Sequence, residues 1–209
     1  MGRYLGSKCK LCRRENQKLF LKGERCGTEK CPFTKRPFAP GMHGKFQRKP
    51  SNYAIQLREK QKTKRMYGML EQQFRKTFHL AQKATGVTGR TLLQLLERRL
   101  DNVVFRLLFA ASRNHARQMV RHGAVLVNGK KVNIPSFTVK AQDTITICPR
   151  EPIRKLVKAS VEKNAKDRSI PEWLTLDRDG LVAKVARLPE KEDSQLPINE
   201  QLIVELYSK

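Results

Sequence analysis

Apolar positions along this 209-residue chain change their period several times, and the changes mark out elements. Residues 1–50 show no long amphipathic period. Cys, Gly, Pro, Lys and Arg dominate, which reads as a loop-rich module with a basic extension that needs a metal or a partner to become ordered. At Ser51 the pattern changes. Ser51 can cap a helix opening at Asn52 and Tyr53, and Met66, Leu70, Phe74, Phe78 and Ala81 then recur at helical spacing. Gly86 is the expected stop, and Gly89 is expected to open the next connection. The helix that follows carries Leu92, Leu93, Leu95, Leu96 and Leu100, dense enough to be buried on more than one side.

Residues 98–148 read as a compact unit. Helical patterns cover 100–109 and 113–122, and Gly123 ends the second. Residues 124–127 and 130–132 then flank Asn128-Gly129, a dipeptide that suits a two-residue hairpin turn. Thr138-Val139 and residues 144–148 add strand candidates. Pro152 fits the first turn of a further helix with Ile153, Leu156, Val157 and Val161 on one face. Beyond Pro171 the runs 173–176, 181–185 and 202–206 look like strands. The expected fold class is therefore α+β.

Charge changes the picture. The chain has 44 Lys and Arg against 19 Asp and Glu, a formal net charge of +25. Such an excess repels itself and favours a polyanionic partner, nucleic acid before a membrane surface. No apolar run approaches the ~20 residues a spanning helix needs, and the opening Met1-Gly2-Arg3-Tyr4-Leu5-Gly6 has no signal-like apolar core. The expected location is the compartment of synthesis, the cytoplasm or an organelle.

Four of the five cysteines lie in the first 31 residues, as Cys9-x₂-Cys12, thirteen residues, then Cys26-x₄-Cys31. Two close pairs joined by a short loop can place four thiolates around one point, as tetrahedral zinc requires. Four cysteines also suit an iron–sulfur cluster. Lys10, Arg13 and Arg14 are among the cations beside the pairs and help the thiols ionise. The expected role is structural, since metal binding would fold a segment with little core. Cys148, in an alternating strand pattern, reads as a packed side chain.

On the helix expected at 113–122, Ser112 supplies a cap and Arg113, Arg117 and Arg121 recur at i, i+4, i+8. Ala116, Met119 and Val120 would pack inward, while Gln118 and His122 flank the arginines. Like charges at that spacing repel, and guanidinium suits bidentate contact with phosphate. Lys130 and Lys131 stand beside the hairpin turn.

These residues carry a resemblance. The run from Arg99-Leu100-Asp101-Asn102-Val103-Val104-Phe105-Arg106 through Ser112-Arg113, Ala116-Arg117-Gln118, His122-Gly123 and Val127-Asn128-Gly129-Lys130 to Pro135-Ser136 resembles the S-four RNA-binding domain. The opening six residues, Ala39-Pro40-Gly41-Met42-His43-Gly44, the run from Gln56 to Lys62 and the ending from Asn199 to Lys209 resemble the ribosomal branch of that family, in the bacterial-type small subunit. The four cysteines match its metal-bearing variety. Two departures stand out: Leu108 occupies a position where Gly is common, and residues 45–49 hold few arginines.

The resemblance implies a structural constituent of the small ribosomal subunit that binds the 5′ domain of its RNA early and nucleates assembly. It implies a metal-binding module at 1–44, a helical body at 45–97 completed by 149–209, and an inserted S-four domain at 98–148 with two short helices and a small sheet. Lys45, Arg48 and Lys49 would lie near the messenger RNA entry path, or simply bind ribosomal RNA phosphate. A contact with the fifth small-subunit protein would influence decoding accuracy. Arg3, His43, Arg58 and Lys62, within the resembling segments, join the candidate RNA contacts.

An RNA-modifying enzyme with an appended S-four domain would need a separate catalytic domain, and residues 149–209 are too short for one. Asp101 sits in a helical capping context, and Asp177 and Asp179 flank Gly180 in a turn. His43, His79, His115 and His122 show no triad spacing. A metal-dependent DNA-binding repressor is the other competitor, and would prefer duplex DNA to folded ribosomal RNA.

Overall fold

The computed structural model describes residues 2–45, 49–194 and 196–208. In chain order its helices are α1 (Lys8–Arg14), α2 (Pro32–Lys35), α3 (Asn52–Met66), α4 (Glu71–Lys83), α5 (Thr88–Glu97), α6 (Leu100–Arg106), α7 (Arg113–Arg121), α8 (Glu151–Asn164) and α9 (Glu200–Tyr207). The strands are β1 (Val125–Val127), β2 (Lys130–Lys131), β3 (Thr144–Ile147), β4 (Leu174–Asp177) and β5 (Val182–Val185). Two compact units result. One comprises the residues up to Leu92 and those from Leu196 onward; the other comprises the residues between.

In the first unit, Ser51 accepts the Ala54 N–H and starts α3 as its sequence anticipates. The single long helical run expected from Asn52 to Ala81 is two helices instead. Gly68 takes φ +63°, its N–H reaches Arg65 O and the Met69 N–H reaches Lys64 O, closing α3 one turn before α4 begins. The break turns Leu70 outward, while Phe74, Phe78 and Ala81 are buried as expected. Gly89 lies within α5 rather than before it.

The tract 202–206, expected as a strand, is helix α9. A short apolar run bounded by polar residues does not distinguish the two. Asn199 decides it locally by accepting the Gln201 N–H at 3.1 Å as an N-cap. Packing on α3 decides it further: Gln56 donates to Glu205 at 3.0 Å, Lys62 Nζ to Pro197 O at 2.7 Å, and the Asn199 N–H to Glu59 at 2.8 Å. The Tyr207 ring stacks on Phe78, centroids 4.3 Å apart.

The second unit is built on one antiparallel sheet of order β2-β1-β3-β5-β4. Val103, Val104 and Leu107 from α6, Ala116 and Val120 from α7, Val157 and Val161 from α8, and Trp173 share its core. Here the expected division of the chain differs from the structure. The expectation has residues 149–209 completing the helical body, but only those from 196 onward join the first unit. The reason is pairing: β5 docks on β3 in the register Thr144↔Lys184, Ile145↔Ala183, Thr146↔Val182, so the β4–β5 hairpin extends the S-four sheet. Thr138 makes a single bridge to Arg99 rather than a strand. Leu156, expected inward, is 73 % exposed.

Candidate nucleic-acid interface

The surface around α7 is assembled by α6. Asp101 and Asn102 are buried beneath α7, and a buried carboxylate needs a cation. Asp101 receives Arg99 through Nε at 3.1 Å and Nη2 at 2.8 Å, and Arg117 Nη1 at 3.2 Å. Arg117 is 3 % exposed. Arg113 Nε donates to Asn102 Oδ1 at 2.8 Å, and its guanidinium lies over the Phe105 ring at 4.6 Å. Asn102 in turn donates to Glu97 at 2.7 Å, which also holds Arg106 at 2.9 Å. The arginine row expected from the sequence is therefore not one solvent-facing stripe. Arg117 is internal, Arg113 is half-buried against Phe105, and Arg121 alone of the three is exposed.

The outward edge of α7 is His115, Gln118, Arg121 and His122. His115 is not among the binding residues expected from the sequence. The signal was available in its spacing, since 115, 118 and 122 recur at i, i+3, i+7. At the end of α7, Gly123 adopts φ +68°. A Cβ placed there would lie 1.9 Å from Lys131 Cε, so the lysine stem runs across the glycine. Asn128 and Gly129, at φ +50° and +75°, form the hairpin turn their residue types suit. Asn128 donates to Asp143 and accepts the Thr144 N–H, both at 2.8 Å. The turn thereby sets exposed Lys130 and Lys131 beside the C-terminal end of α7. Gln118, Arg121, His122, Lys130 and Lys131 come together; all offer donors, and three are permanent cations.

The other candidates divide. Arg3, Lys10, Arg14, His43, Lys45 and Lys49 are exposed. Arg13 Nε donates to Phe38 O at 2.9 Å, and Arg13 and Lys45 both lie over the Phe38 ring, at 5.2 and 5.5 Å. Arg48 lies outside the described residues. Arg58 and Lys62 have internal work: Arg58 pairs with the buried Glu15 at 3.2 Å, alongside Arg65, and Lys62 pairs with Glu59 at 2.7 Å. Burial pushes the Glu15 carboxyl above its ordinary value despite these guanidiniums.

The four N-terminal cysteines are free thiols; Cys12, Cys26 and Cys31 are buried and Cys9 is half-buried. Burial first, then the other cysteines' charges, push the Cys12 and Cys26 thiols up. Burial also acts on Cys31, but hydrogen bonds from the Phe33 and Thr34 backbone outweigh it and hold that thiol down. The Lys22 N–H donates to Cys26 Sγ at 3.4 Å. Among the described residues, no three His, Cys, Asp or Glu side chains are closed around one point at ligand geometry. Cys148 is buried in the sheet unit.

The acids considered for catalysis are structural. Asp101 serves the arginines above, and Asp177 accepts the N–H groups of Asp179 and Gly180 at 3.1 and 3.3 Å in a turn. No described helix is long and apolar enough to cross a membrane.

Comparison with known proteins agrees with this architecture. Residues 3–97 match the family model described as ribosomal protein S4/S9 N-terminal domain, and residues 98–145 match the S4 domain. Small ribosomal subunit protein uS4 of Thermoanaerobacter sp. (strain X514) is 56 % identical over 209 residues, covering all of both chains. The uS4 proteins of Nitratidesulfovibrio vulgaris (strain DP4) and Dictyoglomus thermophilum are 56 % identical over 209 and 53 % over 211 residues, again at full coverage. With two family models matched in series and relatives of this identity along its whole length, the chain belongs to the uS4 family of small ribosomal subunit proteins.

Proposed function

We propose that this protein is a structural, non-catalytic constituent of the small ribosomal subunit that binds its RNA directly. The observation that carries the reading is the acid-free, donor-rich edge formed by Gln118, Arg121, His122, Lys130 and Lys131, on a chain of net charge +25. Contacts of this kind favour phosphate and shape over base sequence. The 5′ domain of the RNA is the proposed target, bound early so that assembly nucleates on it. Exposed Lys45 and Lys49, with Arg48, are proposed to face messenger RNA near its entry, and a contact with the fifth small-subunit protein to tune decoding accuracy.

The test is co-sedimentation with small subunits at moderate salt, paired with filter binding to a small-subunit RNA transcript. The change Arg121→Ala/Lys130→Ala/Lys131→Ala is expected to weaken transcript binding at least tenfold. It should lower the slope of log affinity against log salt by roughly 3, one for each phosphate no longer neutralised. Wild-type affinity and slope in this variant would remove the edge from the interface. Duplex DNA bound more tightly than the transcript would favour the repressor reading.

Structural zinc on Cys9, Cys12, Cys26 and Cys31 belongs to the same proposal. The support is the donor set: four free thiols that feel one another's charge, with backbone N–H groups placed to stabilise thiolate sulfur. Zinc would supply cross-linking of the loops between them. Chelation is expected to expose residues 1–45 to protease while leaving the second unit resistant, and elemental analysis distinguishes zinc from iron. Unchanged proteolysis in chelator would count against any structural metal.

A further inference from the structure

Asn128-Gly129 is the one Asn-Gly pair in the chain. The pair that makes the hairpin turn is also the sequence in which a side-chain amide is most open to attack. Asparagine is thermolabile, and when the next residue has no Cβ its backbone nitrogen can reach the Asn Cγ. Nothing shields that nitrogen through the missing side chain: a Cβ built on Gly129 meets no atom within 4 Å. Asn128 is itself exposed. Its carboxamide is nevertheless tied at both ends. Nδ2 donates to Asp143 Oδ1, and Oδ1 accepts the Thr144 N–H, each at 2.8 Å. The Asn128 N–H donates to Thr144 O, also at 2.8 Å. Asp143 is fixed in turn. Its Oδ2 accepts the Lys140 N–H at 2.7 Å, and its carbonyl accepts the Val185 N–H at 3.0 Å. The sheet order gives these bonds a direction. Strand β1 lies between β2 and β3. Gly129 leads to β2, whereas Asp143 and Thr144 stand at the start of β3. The carboxamide is therefore held on the side of β1 away from the nitrogen that would attack it.

We infer that Asn128 is a fold-guarded deamidation site, inert while its carboxamide is bonded to Asp143 and Thr144 and reactive when that end of β1 and β3 opens. In the reaction the Gly129 nitrogen attacks Asn128 Cγ and gives up its proton. The Cγ–Nδ2 bond breaks, and Nδ2 leaves with that proton as ammonia. Water then opens the cyclic imide at either carbonyl, which gives aspartate or isoaspartate at position 128. Water is the only co-reactant. Either product sets a carboxylate beside Asp143 and removes the donor that Asp143 accepts, so like charges resist reclosure. Isoaspartate also lengthens the backbone of a two-residue turn. Both products add an acid to the edge that holds Lys130 and Lys131. Local opening needs less free energy than global unfolding, so the modification records the time the chain spends with this hairpin loose.

The experiment holds the full chain in mildly alkaline buffer and follows position 128 by peptide mapping. Isoaspartate methyltransferase labelling counts the isoaspartate product. Folded wild type is compared with wild type in urea and with folded Asp143→Ala. Conversion is expected to be at least tenfold slower in the folded wild type than in urea, and to accelerate severalfold in Asp143→Ala. Circular dichroism checks that the variant is folded. If it is not, wild-type conversion is compared with hydrogen exchange of the Asn128 and Thr144 N–H groups as temperature rises, and the two rates should climb together. Equal rates in folded wild type and in urea would overturn the inference. Faster conversion in the folded chain would also overturn it, since the turn would then promote the attack. A folded Asp143→Ala that converts at the wild-type rate, exchange that does not track conversion, or no conversion in urea would each do the same.

Discussion

Arg113, Arg117 and Arg121 differ by one helical turn each, yet only the last faces solvent. What separates them is Asp101, which lies on α6 and is invisible in the spacing of α7 itself. Spacing predicts which residues share a helix face; it does not say which face a neighbouring helix will cover. Asp101→Ala is expected to cost about 3–5 kcal/mol, because it leaves Arg99 and Arg117 buried without their carboxylate. Arg117→Ala should likewise act through folding, whereas Arg121→Ala should leave the denaturation midpoint unchanged. Chemical denaturation of the three variants checks the ranking. Leu108 shows the reverse case, in which one residue identity was informative alone. It is buried at φ +65°, a conformation glycine adopts without cost, so a leucine there signals strain offset by packing. Asn164 Nδ2 donates to its carbonyl at 2.9 Å and helps hold it. Leu108→Gly should therefore destabilise less in chemical denaturation than truncation of an equally buried helical leucine such as Leu100→Gly, since relief of the left-handed strain offsets part of the cavity cost.

Elements with their own local signals were legible from sequence: Ser51 and Ser112 cap as expected, and Asn128-Gly129 turns as expected. Gly129 has open space around a would-be Cβ, so Gly129→Val tests the backbone alone. It should cost about 1–2 kcal/mol and loosen the β1–β2 hairpin, visible in amide exchange of Val132, whose N–H donates to Val125 O. Elements defined by distant partners were not legible. Residues 202–206 become a helix because α3 supplies its docking face, and 149–195 leave the body because β3 supplies an open edge to β5. Glu71 gives the α3–α4–α9 arrangement a pH dependence. Burial raises its carboxyl, but the hydrogen bonds from Lys60 and Lys64 outweigh this and hold it below its ordinary 4.5. A depressed acid stabilises the fold above its unfolded value, and that contribution disappears as pH falls from 4.5 through the folded value. Thermal unfolding at a series of acidic pH values should show this decline in the wild type and a shallower one in Glu71→Gln.

At the scale of the molecule, charge was the safest guide and the least specific. A net charge of +25 calls for a polyanion, but several of the cations that make it up are spent internally on Glu15, Glu59, Glu97 and Asp101. The RNA-facing set is therefore smaller than the count suggests, and sharper. The family resemblance supplied the overall organisation; the structure moved the boundary between its parts. That boundary bears on how the protein is made. The residues that clasp α3 from Pro197 to Tyr207 are separated from it by the whole sheet unit. During synthesis the sheet unit can close as soon as β5 emerges, while α3 waits for a partner translated 140 residues after Glu59. A nascent chain stalled after residue 194 would thus carry a finished S-four sheet and an unfinished helical unit, so the order of birth runs opposite to the order of the sequence.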